Sequence, residues 1–364
     1  MRILIVRLGA LGDIVHAIPA AAALRAAMPS ARIDWLVDAK HREILDLTTV
    51  LDSIVTLDGR TLAAWGDVTR RLRAARYDVA LDFQGLLKSA VLARASGARR
   101  VAGFSIFHLR EKTARPFYTD ARTPDGGVRL QADQGGGVRL QPDHVPAHHV
   151  ITKNLQLLQV LGVDTREISF PLARVTSAAA EVVRGQASGR FALLNPGAAW
   201  PNKRWPSERF GELATFLRDV RALTSFVLWG PGEQDLADAV VRASSGAARA
   251  APATRINDLV QLSREAALMV SGDTGPLHIA AAMGTPVVGL FGPTDPDRNG
   301  PWRPDDEVVS RFGSCGCHYD RRCHQASWCL GDVTVAEVSA AVQQRLSRGP
   351  SAPSAAAAAP PLES

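Results

Sequence analysis

The chain has 364 residues, of which 46% are hydrophobic and 21% charged, a balance typical of a soluble globular protein. This length exceeds the usual size of one hydrophobic core, so we expect two domains. The formal net charge of +6 comes mainly from arginine and favours acidic partners, but no basic and aromatic run typical of nucleic-acid binding is present. No apolar run approaches the roughly 20 residues of a membrane span, and the charged start argues against a signal peptide. We therefore expect a cytoplasmic protein.

Short β-rich runs alternate with helical patterns from the first residue onward. Strands are predicted over residues 2–6, 32–37, 54–57 and 78–82, and helices over 14–28 and 62–75. The same alternation restarts after Pro171, with strands predicted over 191–194, 225–229, 267–270 and 287–291, and helices over 207–217, 233–243, 258–264 and 276–283. Alternating strands and helices predict doubly wound parallel sheets.

The simplest architecture is therefore α/β, with two Rossmann-like domains facing a central cleft. We predict one domain over residues 1–173 and another over 174–346, joined by a linker at 174–176. Residues 126–133 and 136–143 form a tandem repeat (GGVRLQAD and GGVRLQPD), which predicts a duplicated surface insertion at about 122–143. The tail 347–364 lacks apolar periodicity and is predicted to be disordered.

The stretch from Ser271 to Trp302 places turns around one short apolar strand. Asp273, Thr274 and Gly275 end a buried run, and Pro276 can open a helix at its first position, where its missing N–H has no cost. A helix start directs free N–H groups and the positive end of the helix dipole at whatever lies in front, which suits a diphosphate. The alternative is that Asp273 or Thr274 only caps the helix.

The glycine turn from Gly9 to Asp13 also follows a strand and opens a helix, where doubly wound sheets bind ligands. Asp13 is a candidate general base for an incoming hydroxyl, and its alternative is an ordinary N-cap. The turn does not have the G-x-G-x-x-G spacing of a dinucleotide fingerprint. Asp38 follows the second strand as a ribose-binding acid would, so an NAD-linked oxidoreductase stays open as a disfavoured alternative.

Other polar side chains follow predicted strands. Gln84, Lys88 and Ser89 are predicted at one cleft edge, the alternative being a capped helix with an exposed lysine. Lys203 precedes a helix, where it opposes the dipole and favours a compensating anion unless it is simply solvated. Glu233 follows a strand and a turn, so it can receive ribose hydroxyls or serve as a first-turn acid.

Four segments together resemble the lipopolysaccharide heptosyltransferases of glycosyltransferase family nine. They are RLGALGD (7–13), DFQGLLKSA (82–90), NPGAAWPNKRWP (195–206) and DTGPLHIAAAMGTPVVGLFGPTDP (273–296), and they occur in order over nearly the whole chain. The resemblance implies a GT-B fold, an ADP-heptose donor, and a lipid A-linked acceptor that carries acidic 3-deoxy-octulosonic acid. It also implies inversion at the sugar carbon, with no metal and no other cofactor.

The resemblance also assigns roles to individual residues. Asp13 matches the general base, and Lys203 matches the lysine that faces the donor phosphates. The implied donor-binding set also contains Ala198, Ala199, Glu233, Thr254, Asp273, Thr274, Gly275 and His278. Ala198 and Ala199 stand where other members have hydroxyl residues, so backbone N–H groups would have to replace side-chain donors. We expect Gly12, Gln84 and Lys88 to face the acceptor.

Four cysteines crowd into one segment, Cys315, Cys317, Cys323 and Cys329, with His318 and His324 nearby. The C-x-C start lacks the C-x-x-C pairs of structural zinc sites, so we expect a reduced loop in preference to a metal or disulfides. Two alternatives to heptosyl transfer stay open: transfer from another nucleotide-sugar, and a non-catalytic nucleotide-sugar-binding module. A lipid-linked acceptor would require peripheral contact with the inner membrane through basic and apolar surface.

Overall fold

The computed structural model describes residues 1–59, 61–124, 148–187 and 189–349. The described residues divide into two units, of which the first ends at Arg174 and the second begins at Val175. Both copies of the tandem repeat lie outside the described residues, as does the tail from residue 350. In the described part of the chain, no helix combines the length and the apolar character needed to cross a bilayer.

A sheet of six parallel strands forms the centre of the first unit. The strands are β1 Arg2–Val6, β2 Arg32–Asp38, β3 Ser53–Leu57, β4 Val79–Asp82, β5 Arg100–Phe104 and β6 Asp120–Arg122. Their order across the sheet is β3-β2-β1-β4-β5-β6. The central strands are apolar and buried almost throughout, as expected for a parallel sheet with covered faces.

The helices of the first unit are α1 Leu11–Val15, α2 Ile18–Ala27, α3 Arg42–Asp46, α4 Leu62–Ala75, α5 Leu87–Ala95 and α6 Val150–Leu157. The single helix predicted over 14–28 is wrong, because the chain forms two helices there. Pro19 lies in the first turn of α2. Proline has no N–H and is tolerated in a first turn but not inside a helix, so a new helix starts at this point.

The second unit repeats this architecture with strands β7 Phe191–Asn195, β8 Thr224–Val227, β9 Ala248–Ala250, β10 Leu268–Gly272, β11 Val287–Phe291 and β12 Glu307–Ser310. These strands are also parallel, in the order β12-β11-β10-β7-β8-β9. Its helices are α7 Ala178–Gln186, α8 Ser207–Arg221, α9 Gln234–Ala243, α10 Ile256–Glu265, α11 Gly275–Met283, α12 Pro296–Asn299 and α13 Val335–Ser347. Ser347, the first residue of the predicted tail, is the last residue of α13.

The strand order of each sheet determines where a ligand can bind. Both sheets have the Rossmann order 3-2-1-4-5-6 when their own strands are counted from one. The order reverses between β1 and β4 in the first unit and between β7 and β10 in the second. In open α/β sheets ligands bind outside the carboxyl ends of the strands at such a reversal. The residues that follow these four strands are therefore the candidates for function.

Candidate active site

In the first unit, an ion pair follows β1 at the reversal of strand order. Asp13 is the third residue of α1, where its Oδ2 accepts a hydrogen bond from the Ala10 N–H at 3.3 Å. The same oxygen lies 2.6 Å from Arg7 Nη2. The N-cap alternative is wrong, because Ala10 occupies the cap position and Asp13 lies in the first turn. The Asp13 side chain is 26% exposed, so its carboxylate is accessible to solvent.

Arg7, to which sequence reasoning gave no role, positions this carboxylate. Its side chain is buried, and its Nη1 donates to the Phe83 carbonyl at 2.6 Å. The Arg7 carbonyl accepts a hydrogen bond from Trp35 Nε1 at 3.1 Å. Arg7 therefore connects the end of β1 to the residue that follows β4, and it holds Asp13 at that edge. The available signal was a cation six residues before the candidate base, directly after the apolar run Ile3–Val6 of β1.

The predicted acceptor residues lie in the same unit. The Oε1 atom of Gln84 accepts a hydrogen bond from the Leu8 N–H at 2.8 Å, so Gln84 joins the β4 end to the β1 end. Gly12 is buried in α1. Lys88 Nζ lies 3.4 Å from Asp38 Oδ1, and both side chains are partly exposed. Asp38, at the end of β2, therefore forms an ion pair with Lys88.

Asp82, at the end of β4, is a buried anchor that sequence reasoning also missed. Its carboxylate accepts hydrogen bonds from Tyr118 Oη at 2.7 Å and Ser89 Oγ at 2.8 Å. The N–H groups of Gln84 and Gly85 donate to it as well. Burial raises the Asp82 pKa even though these four donors favour the ionised form. The arrangement fixes the turn between β4 and α5, which carries Gln84 and Lys88.

In the second unit, a buried carboxylate with two basic partners follows β10. Asp273 Oδ2 lies 2.6 Å from Lys203 Nζ, and Asp273 Oδ1 lies 3.1 Å from His278 Nε2. The Asp273 side chain is only 5% exposed. Burial opposes ionisation, but the hydrogen bond with His278 and the charge of Lys203 outweigh it and hold the Asp273 pKa well below its usual range. Asp273 is thus a fixed negative charge that orients Lys203 and His278.

Lys203 makes further close contacts besides its ion pair with Asp273. Lys203 ends a short 3-10 turn, Pro201–Lys203, and its Nζ lies 4.5 Å from the centroid of the Trp200 ring. The Lys203 carbonyl lies so close to Gly272 that a Cβ on that glycine would be 2.5 Å from the oxygen. The sequence predicted an anion beside Lys203. In the structure that anion is the Asp273 carboxylate of the same chain.

The start of α11 has no side-chain cap among the described residues. Thr274 occupies the N-cap position, but its Oγ1 instead accepts a hydrogen bond from Asn195 Nδ2 at 3.1 Å and lies 3.1 Å from Ser271 Oγ. Asp273 is engaged by its two basic partners. The capping alternative for these two residues is therefore wrong. The backbone N–H of Gly275, the first residue of α11, and the positive end of the helix dipole remain suited to an anion.

Glu233 and Arg204 form a second cluster near the β7 end. Glu233 occupies the N-cap position of α9, so the alternative that it is a first-turn acid is wrong. The Glu233 Oε2 atom accepts a hydrogen bond from the Gly230 N–H at 3.2 Å. Arg204 Nη2 lies 3.7 Å from Glu233 Oε1, and Arg204 Nε donates to the Ala198 carbonyl at 2.9 Å. A Cβ at Gly197 would lie 2.6 Å from Glu233 Cδ, so a larger residue there would displace the Glu233 carboxylate.

The remaining predicted donor residues have less defined surroundings. The Ala198 side chain is buried, whereas Ala199 is exposed. Thr254 is partly exposed and lies two residues before α10. Neither alanine offers a side-chain donor, so the binding of phosphate by backbone N–H groups at this turn stays a prediction.

The cysteine segment packs against the turn that carries Lys203. Asn202 Nδ2 donates to the Asp320 carbonyl at 2.9 Å, and Trp328 Nε1 donates to the Arg204 carbonyl at 2.7 Å. All four cysteines are free thiols. Sγ–Sγ distances of 3.4 Å separate Cys315 from Cys329 and Cys317 from Cys323. Burial raises the pKa of the Cys329 thiol to about 12. In the part of the chain that the structure describes, no three His, Cys, Asp or Glu side chains are arranged to hold a metal ion.

Comparisons with known proteins agree with this geometry. A family model described as glycosyltransferase family 9 (heptosyltransferase) matches residues 65–126 and 138–328, well over half of the chain. Lipopolysaccharide heptosyltransferase 1 of Pseudomonas aeruginosa is 26% identical over 334 residues, covering 87% of this chain and 86% of that protein. Lipopolysaccharide heptosyltransferase 1 of Escherichia coli K12 is 25% identical over 310 residues, covering 81% of this chain and 89% of that protein.

Solved structures show the same fold at lower identity. The E. coli heptosyltransferase WaaC with ADP has a TM-score of 0.71 at 21% identity, covering 95% of this chain and all of that one. The E. coli ADP-heptose lps heptosyltransferase II has a TM-score of 0.70 at 22% identity, covering 96% of this chain and 99% of that one. The oxidoreductase alternative, which depended on Asp38, is wrong. The chain belongs to glycosyltransferase family 9 and is a glycosyltransferase of the GT-B fold.

Proposed function

We propose that this protein transfers heptose from ADP-heptose to a lipid A-linked inner-core acceptor in lipopolysaccharide biosynthesis. The reaction inverts the configuration at the sugar carbon and requires no metal. The observation that carries the proposal is the Lys203–Asp273–His278 cluster beside the uncapped start of α11, which suits the diphosphate of a nucleotide-sugar. The ADP and ADP-sugar in the solved structures of E. coli heptosyltransferase WaaC support this choice of donor.

On the donor side, we assign Lys203 to the diphosphate. When the bond between sugar and phosphate breaks, negative charge grows on the leaving ADP. Lys203 Nζ, held by Asp273, and the N–H of Gly275 meet that charge without having to reorganise. A fixed donor of this kind lowers the barrier by about 2.7 to 4 kcal/mol in a measured oxyanion case. These fixed charges take the part that a divalent cation plays in metal-dependent enzymes.

The other donor contacts follow from position along the sheet. Glu233, after β8, receives the ribose hydroxyls, and the backbone N–H groups of Ala198 and Ala199 contribute to phosphate binding. Thr254 lies at the adenine, which is held largely by backbone. Thr274 and His278 act as positioning residues, because their polar atoms are engaged by Asn195 and Asp273.

On the acceptor side, we assign Asp13 as the general base. Its partly exposed carboxylate accepts the proton of the attacking hydroxyl, while Arg7 keeps the carboxylate in place. The acceptor oxygen forms its bond to the sugar carbon on the face opposite to the departing diphosphate, which gives inversion. We assign Lys88, Gln84 and Gly12 to the acidic acceptor sugar. The protein works at the cytoplasmic face of the inner membrane, in peripheral contact with it.

The test is transfer itself. Purified protein is incubated with ADP-heptose and an acceptor made of 3-deoxy-octulosonic acid on lipid A. The molecular mass of the product is then measured by mass spectrometry. We expect a gain of one heptose, an inverted anomeric configuration by NMR, and an unchanged rate in EDTA. Transfer only from a different nucleotide-sugar would show that ADP-heptose is not the donor. Tight binding of ADP-heptose with no transfer to any acceptor would instead identify a nucleotide-sugar-binding module.

A further inference from the structure

One turn of the first unit exposes two large apolar side chains next to each other. Ile106 is 40% exposed and Phe107 is 87% exposed. The turn is closed by a hydrogen bond from the His108 N–H to the Ser105 carbonyl at 2.8 Å. Ser105 Oγ also lies 3.0 Å from His108 Nδ1. The turn thus presents Phe107 in an ordered conformation, which reduces the entropy lost when that side chain binds a surface.

Hydrogen bonds tie this turn to the segment that carries the proposed acceptor residues. The Glu111 N–H donates to the Gly85 carbonyl at 3.1 Å, and Glu111 Oε2 accepts from the Leu87 N–H at 2.7 Å. Leu109 packs so closely on Gly85 that a Cβ there would lie 3.1 Å from Leu109 Cδ2. The exposed turn is therefore fixed relative to Gln84 and Lys88.

Two cations accompany the apolar pair. Arg110 and Lys112 are exposed, and within the described ranges neither forms an ion pair or a side-chain hydrogen bond. The acid between them, Glu111, points its Oε2 at the Leu87 N–H. Apolar side chains flanked by unpaired cations favour a surface that is apolar below and negatively charged above, as an anionic bilayer is. A neutral apolar partner would leave both cations without a counter-charge.

We propose that Ile106, Phe107, Arg110 and Lys112, together called the docking tip, bind the surface of an anionic bilayer. Phe107 enters the interface between headgroups and acyl chains, and the two cations contact the headgroups. The value of the docking tip for catalysis rests on the proposed function, since the tip would bring Gln84 and Lys88 to the membrane in which a lipid-linked acceptor lies. The binding itself requires neither donor nor transfer.

The experiment is co-sedimentation of the full-length protein with vesicles. One vesicle type contains phosphatidylethanolamine and phosphatidylglycerol, and the other contains only phosphatidylcholine. We expect binding to the anionic vesicles that weakens with salt. Phe107→Ser should lower the affinity about tenfold, since burial of one Phe is lost. The double variant Arg110→Gln/Lys112→Gln should lower it about tenfold or more at low salt. Leu62→Ser is the matched control, because Leu62 is 93% exposed in the same unit, and it should bind like the wild type.

Three outcomes would overturn the docking tip. They are wild-type affinity in Phe107→Ser, an equal loss in Leu62→Ser, and equal binding of the wild type to both vesicle types. A change in oligomeric mass on Phe107→Ser, without a change in vesicle binding, would assign the tip to self-association and also overturn the proposal. Failure of heptose transfer would leave the vesicle result standing, so the two proposals fail separately.

Discussion

Two aspartates at the reversals of strand order invite comparison, one in each unit. Asp13 follows β1 and Asp273 follows β10, and each has a basic nitrogen 2.6 Å from one carboxylate oxygen. They differ in exposure and in the number of partners. Asp13 is 26% exposed and, among the described residues, forms an ion pair only with Arg7, whereas Asp273 is buried and pairs with Lys203 and His278.

Because of this difference, Asp13 is open to a reacting group, whereas Asp273 holds Lys203 and His278 in place. The Asp273 pKa lies far below its usual range, so Asp273 stays ionised and serves as an anchor. A reacting hydroxyl can approach Asp13 from solvent. Removing one partner of a buried pair leaves an uncompensated charge, and the cost is smaller where one partner is partly exposed, as Asp13 is. Substitution of Asp13 should therefore affect mainly the rate, with a smaller loss of stability than a substitution in the Asp273 cluster.

The largest expected effect is on the rate of the Asp13→Asn variant. Loss of the proposed general base should lower transfer by about 10²- to 10⁴-fold. The free energy of unfolding should fall by less than the about 3 to 5 kcal/mol of a fully buried pair, because Asp13 is partly exposed although Arg7 is buried. Steady-state transfer assays and urea unfolding measure the two quantities. Asp46→Asn is the control, because it breaks an exposed pair with Arg42 and should leave both values unchanged. A loss of stability as large as that of Lys203→Met would show that Asp13 is also an anchor.

Lys203→Met should affect stability and turnover together. It leaves Asp273 buried with His278 as its remaining basic partner, and breaking a buried pair in this way costs about 3 to 5 kcal/mol of unfolding free energy. Donor affinity and turnover should also fall, because the diphosphate loses its cation. Urea unfolding and binding of ADP-heptose are the measurements, with Lys40→Met at an exposed lysine as control. Unchanged stability would contradict the role of Asp273 as a buried anchor.

His278→Gln should make the protein more sensitive to acid. Because the folded-state pKa of Asp273 lies below the unfolded value of 3.8, Asp273 contributes stability above that pH and loses it as the pH falls through the folded pKa. Without the hydrogen bond from His278, burial is opposed mainly by Lys203, so the folded pKa rises. We expect the acid-unfolding midpoint, followed by circular dichroism, to move to higher pH, and about 1.5 to 3 kcal/mol to be lost at neutral pH. His324→Gln, at an exposed histidine, should not move it.

Asp38→Asn should have the smallest effect. Its partner Lys88 lies 3.4 Å away, and both side chains are about one-third exposed. Solvent and salt screen such a pair, so we expect a loss of at most about 1 kcal/mol, which disappears at high ionic strength. Unfolding in low and high salt measures it. A loss as large as that of Lys203→Met would remove the distinction between exposed and buried pairs.

The sequence allowed prediction of the doubly wound sheets, because their central strands are apolar runs separated by helical patterns. It did not allow prediction of β5, β6, β9 and β12. The last three are short edge strands that carry charged residues such as Asp120, Arg249 and Glu307, and β5 begins at a charged residue, Arg100. Sequence also placed the candidate residues at strand ends, where the general rule for parallel sheets puts ligands.

Sequence alone did not predict which side chains pair. Asp273 lies 70 residues from Lys203, and no periodic pattern connects them. Whether Thr274 caps α11 depended on Asn195, 79 residues away, whose amide donates to its hydroxyl. Such contacts follow from the strand order, because β7 and β10 are neighbours in the sheet. The local sequence carries no signal of that order.

The separate roles of Asp13 and Asp273 are tested most directly by measuring donor binding and transfer on one sample of the Asp13→Asn variant. Calorimetry gives the Kd for ADP-heptose, and a single-turnover assay gives the rate of transfer to the lipid A-linked acceptor. We predict an unchanged Kd with transfer at least about 100-fold slower, since the base is lost and the donor cluster is intact. A near-normal rate would contradict the assignment of Asp13 as the base.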